Sequence, residues 1–119
     1  MGHEDNRYAN VPLYADHPGT IKIAGATSPK GAGWCAFRYL QKSLLPIDFM
    51  CIGANANQQA TKAMGIFCFI VNNAEEFNTV EVAFQPLMFR TSTTDPITKQ
   101  VKDKSVTIWR TLILEKKAK

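Results

Sequence analysis

Residues 20–41 read TIKIAGATSPKGAGWCAFRYLQ, and the change of rhythm inside them decides the fold class. Thr20 to Ala24 alternates apolar and polar side chains and is rich in β-branched residues, which predicts a short strand. Ser28-Pro29 then reads as a helix entry. A serine side chain caps free backbone N–H groups, and proline is pre-set for the first helical position. Beyond it, Ala32, Cys35, Ala36, Tyr39 and Leu40 recur at i, i+3, i+4, i+7 and i+8, the spacing of one apolar helix face. Trp34 falls off that stripe, where it either wraps the edge of the core or is offered to a partner. The helix is expected to stop before Pro46.

Downstream the same alternation repeats. Ile47 to Ile52 (IDFMCI) is short and almost wholly apolar, which predicts an interior strand covered on both faces. Gly53 ends it, and a second helix is predicted from about Asn55 to Val71, with Ala56, Ala60, Ala63, Met64, Phe67 and Val71 at helical spacing. Its end, IFCFIV, is apolar all round, so it is either deeply buried or packed on another subunit. From Thr79 to Arg90 the pattern is strand again, with Val80, Val82 and Phe84 facing one way and Pro86 suited to an edge or a bulge. Residues 91–103 form a polar stretch of about 13 residues containing Asp95-Pro96, expected to be a long loop. Ser105 to Glu115 closes as a strand.

The order is β-α-β-α-β-β, which predicts an α+β two-layer sandwich with both helices on one sheet face and an extended β3-β4 hairpin. One domain is expected over residues 19–115, preceded by an irregular arm (1–18) and followed by a basic tail (116–119).

Composition bounds the function. The 119 residues include 45% hydrophobic and 20% charged side chains, ordinary for a globular domain. No apolar run approaches the ~18 residues of a membrane span, and the polar start resembles neither a secretory nor a transit signal. A soluble, intracellular protein with no membrane partner is expected. Cys35, Cys51 and Cys68 are widely spaced, without a CxxC pair, and both histidines lie in the N-terminal arm. Buried free thiols are expected, with no metal and no other cofactor. No HExxH, GxSxG or phosphate-loop pattern occurs, so no enzyme activity is expected.

Positive charge is concentrated at one end. Residues 99–119 hold seven basic and two acidic side chains, a net of +5, while the rest of the chain is at −1. Such asymmetry points to a polyanionic partner or to a solubilising tail. Arg90, Lys99, Lys102 and Lys104 lie on or beside the hairpin, and ribbons of this kind follow phosphate backbones. Gly53-Ala54-Asn55-Ala56 opens a helix N-terminus, a ready anion site or simply a tight turn. Lys30, with Gly31 beside the first helix start, either touches a phosphate or is simply a solvated lysine.

Two runs, IKIAGATSPKGAGWCAFRYLQ (21–41) and IDFMCIGANANQQATKAM (47–64), resemble the stage V sporulation protein S family of the Alba-like superfamily. The residues that carry the resemblance are Ser28-Pro29, Gly53-Ala54-Asn55-Ala56 and Gln59-Ala60-Thr61-Lys62-Ala63, and it extends over roughly residues 20–70. It implies an Alba-like βαβαββ fold, homodimers or higher homo-oligomers formed partly through the second helix, and binding of DNA or RNA. The implied contacts are Ser28, Lys30 and Gly31 before and at the first helix; Gly53, Asn55 and Gln58 around the second; and Arg90, Lys99, Lys102 and Lys104 on the hairpin. The archaeal DNA-binding members carry a lysine pair before the proline where this chain has Thr27-Ser28. Their arginine-bearing turn is here the neutral GANAN. Three expectations follow: weaker binding, binding that relies on the hairpin and tail, or loss of binding in favour of protein contacts. The competing expectation is a self-associating regulatory or scaffolding module that binds proteins through Trp34, Phe37 and the second helix.

Overall fold

The computed structural model describes residues 16–116. The arm up to residue 15, and Lys117 to Lys119 of the tail, lie outside the described residues. The chain runs β1 (Thr20–Ile23), α1 (Pro29–Gln41), β2 (Asp48–Ile52), α2 (Ala54–Asn73), a single 3-10 turn (Glu75–Phe77), β3 (Val80–Thr94) and β4 (Val101–Glu115). The four strands form one mixed sheet in the order β1-β2-β4-β3. β1 pairs parallel with β2, with Thr20 opposite Asp48, and β4 pairs antiparallel with both β2 and β3. This is a two-layer α+β fold with the element order the sequence predicts.

Both helices pack on one face of the sheet. Strand residues of one parity (Ile21, Ile23, Phe49 and Cys51) join Ala36, Leu40, Ala60 and Phe67 of the helices in a single buried cluster. Phe84 on β3 closes it, with ring centroids 6.1 Å from Phe49 and 6.4 Å from Phe67. Burial of this apolar surface is the main stabilising term. Alanines at 36, 56, 60 and 63 let the helices approach closely. So does Gly33, where a Cβ would stand 2.7 Å from Ile66 Cγ2.

On α1 the buried face is turned from the predicted stripe. Gly33 and Phe37 are buried, while Cys35 and Tyr39 are half-buried. The helix meets α2 through Gly33, and Phe37 meets Phe77 edge-on at 5.7 Å, so burial shifts toward that flank. The end of α2 is not apolar-buried all round: Phe67 and Val71 are buried, but Phe69 is 68% exposed. Among the cysteines only Cys51 is fully buried, and all three are free thiols.

β2 carries the fold's buried charge. Asp48 is 0% exposed on the sheet face away from the helices. Its carboxylate accepts two hydrogen bonds from Arg110 of β4, at 2.9 and 2.8 Å, and lies 2.9 Å from His17 Nε2. A buried carboxylate needs such pairing to remain charged. His17 therefore belongs to the fold rather than to a detached arm, and Asp16 reaches Lys22 at 2.7 Å. On the same face Ile108 is buried between its cross-strand neighbours Met50 and Leu87.

The hairpin is longer than the sequence predicts. The stretch expected to be a loop of about 13 residues is mostly strand, and only residues 95–100 turn. β2 covers β4 only from Val106 to Arg110, so Val101 to Ser105 and their partners Arg90 to Thr94 project as a two-stranded ribbon. Pro86 pairs opposite Trp109 within β3, the edge strand, without interrupting the ladder.

Candidate nucleic-acid interface

The two helix openings are built differently. At α1, Ser28 is the N-cap, and its Oγ accepts from the Gly31 N–H at 3.1 Å. Gly31 thus contributes a donor already engaged by the chain itself. Ser28, Lys30 and Gly31 are all exposed, Lys30 in the first turn. At α2 the N-cap is Gly53, with φ +91° and no side-chain cap. That backbone region is open to glycine and strained for other residues. Nothing lies within 4 Å of where a Cβ would be, so backbone conformation selects glycine here, not crowding. Asn55 and Gln58 are exposed on the first turns of α2. Neither helix has an acidic residue in its first turn, so both N-terminal dipole ends remain electropositive.

These two openings touch each other. The Gln59 Nε2 donates to the Thr27 carbonyl at 2.9 Å, and a Cβ on Gly25 would stand 3.3 Å from Asn55 Cβ. The loop before α1 and the start of α2 therefore form one surface. A third element joins it. A cleft of about 450 Å³ connects Gly53 and Asn57 to the hairpin residues Met88, Lys104 and Ser105.

Asn57 fixes that junction. Its Nδ2 donates to the Gly53 carbonyl at 3.0 Å, while its Oδ1 accepts from Trp109 Nε1 at 3.3 Å and from Cys51 Sγ at 3.2 Å. Burial pushes the Cys51 thiol up to about 11, so it stays protonated and able to donate. Sequence reading points to Asn55 and Gln58 and passes over Asn57. A signal was present: an asparagine three positions before Ala60, on the inward side of a helix, requires a polar partner.

On the ribbon, Arg90, Lys99, Lys102 and Lys104 are exposed, and among the described residues none of them forms an ion pair. Lys102 and Lys104 occupy alternate positions of β4 and share a face, opposite Thr93 and Thr91. Lys99 sits at the tip with φ 63°. Asp95 closes the turn, its Oδ1 accepting from the N–H groups of Ile97 (2.8 Å) and Thr98 (3.1 Å). Those backbone donors hold the Asp95 carboxyl below its ordinary range. Arg110, counted in the basic C-terminal excess, is engaged by Asp48 instead, and Lys117 and Lys119 lie outside the described residues.

Among the described residues no three His, Cys, Asp or Glu side chains converge as a metal site, and no helix is long and apolar enough to cross a membrane. Compared with protein-family models and with curated proteins, the sequence matches none.

Proposed function

We propose that the protein is an Alba-like nucleic-acid-binding protein that contacts the phosphates of DNA or RNA and has no catalytic role. The observation that carries the reading is continuity. The loop before α1, the uncapped Gly53 opening of α2 and the lysine-bearing ribbon meet as one surface, with cations at its outer end that form no ion pair among the described residues. The βαβαββ element order supports the Alba-like assignment. Backbone N–H groups at Gly53 suit a phosphate oxygen, and Lys99, Lys102, Lys104 and Arg90 supply the salt-sensitive attraction.

The test is a titration with single- and double-stranded nucleic acid at two salt concentrations. Affinity should fall with salt, at about −0.9 in log–log slope per neutralised duplex phosphate. Replacing Lys99, Lys102 and Lys104 together by Gln should flatten that slope by up to about three such increments. Absence of binding at low salt refutes the reading.

A self-associating scaffold is the competing function, favoured by the exposed rings of Phe69 and Trp34 on the helical layer. It requires an oligomer whose size and partners are indifferent to nucleic acid.

A further inference from the structure

The outer face of the helical layer combines charge and aromatic surface in a regular way. Neither helix contains an acidic residue: α1 carries Lys30 and Arg38, and α2 carries Lys62. On α1, Lys30, Trp34 and Arg38 recur at i, i+4 and i+8, so they share one exposed stripe. On α2, Lys62, Ile66 and Phe69 follow at i, i+4 and i+7. The close approach at Gly33 brings the stripes together. Between them runs an open groove of about 610 Å³ with an almost wholly apolar lining, formed by Pro29, Ile66 and Phe69 with Lys30 and Lys62. Phe69 is 68% and Trp34 is 41% exposed, the latter edge-on to Phe37 at 5.9 Å. An exposed ring in the wall of a groove marks a contact surface.

We infer that this groove receives an unpaired base, with the neighbouring phosphates on Lys30 and Lys62, so that the protein prefers single-stranded nucleic acid to duplex. The inference rests on the nucleic-acid function proposed above and names its substrate class. A duplex keeps its base faces stacked inside and has nothing to offer an apolar groove. A single strand presents both a π-face and a charge at each nucleotide. Lys30 and Lys62 at the groove with the Phe69 ring in its wall match that pattern, whereas an acidic protein partner has no need of the ring. The groove is also continuous with the surface described above, because Ser28, the cap of α1, forms part of its wall.

The test uses the full chain with three probes of equal length: an oligothymidylate, an abasic strand with the same backbone, and a duplex. Wild-type protein should bind oligothymidylate more tightly than the abasic strand. Phe69→Ala should weaken oligothymidylate binding by roughly 5- to 100-fold, leave duplex binding unchanged, and keep the melting temperature, since that ring is 68% exposed. Phe69→Tyr should retain the affinity. Equal binding of oligothymidylate and abasic strand overturns the inference while leaving the phosphate-binding function standing; no binding of any probe removes both. If Phe69→Ala changes particle size but not affinity, the groove is a self-association surface and the inference fails.

Discussion

The two ends of the β3-β4 hairpin are made of the same paired strands and have opposite fates. At one end, Val80, Val82 and Phe84 pack on the helices, and Phe84 stands against both Phe49 and Phe67. At the other, Arg90 to Thr94 and Val101 to Ser105 pair only with each other. Backbone pairing is common to both, so it does not distinguish them. What differs is the side chains: an apolar row that needs a core, and a polar, cationic row that needs none. An isolated two-stranded ribbon gains little stability from its own pairing. The free end therefore owes its place to the anchored half of the same two strands, not to a core of its own.

That comparison can be broken most severely at its hinge. Arg110 lies just inside the anchored half, and replacing it by Met leaves Asp48 buried with one charge partner fewer. A loss of about 3–5 kcal/mol is expected in denaturant unfolding. Combining it with Asp48→Leu should recover most of that loss, because the uncompensated charge goes with it. Recovery would show that the pair serves register rather than net stability. Within the anchored end, Phe84→Ala should cost about 2–3 kcal/mol, less than a fully buried phenylalanine because the ring is half-exposed. At the free end, the triple Lys→Gln variant should unfold within about 0.5 kcal/mol of wild type, even as its salt-dependent binding changes.

The smallest effect belongs to the tip. Asp95 has a lowered folded-state pKa, so its contribution to the turn is present above its unfolded pKa and is lost as pH falls through the folded value. Exchange of the Ile97 and Thr98 amides should accelerate over that acid window, with no change in the core. An Asp95→Asn variant should lose the pH dependence.

The sheet-and-helix alternation was legible because the period changes from 2 to 3.6 at Ser28-Pro29 and again at Gly53, both positions with a local physical cause. The helix openings were legible for the same reason, and the cationic hairpin residues from charge alone. The extent of the hairpin was not. Residues 91–105 are exposed or polar on both strand faces, so they carry no alternation for a reader to find, and cross-strand pairing alone defines them as strand. Asp48 was hidden differently. A lone aspartate in IDFMCI announces a buried charge, but its partners are 31 and 62 residues away, and nothing local names them. Asn57 escaped because its three hydrogen bonds converge from α2, β2 and β4. Its neighbours in sequence look equally suited to solvent.

Pro86 has a consequence for assembly. Among the described residues β3 lies at the sheet margin, and no strand pairs with its outer row of main-chain donors and acceptors. Such a margin templates the addition of foreign strands and fibril growth. Because the ladder to β4 is unbroken at residue 86, the proline nitrogen faces outward and deletes a donor near the middle of that row. A strand added along this margin would lack a ladder bond at that point, which interrupts the template midway along a strand of 15 residues.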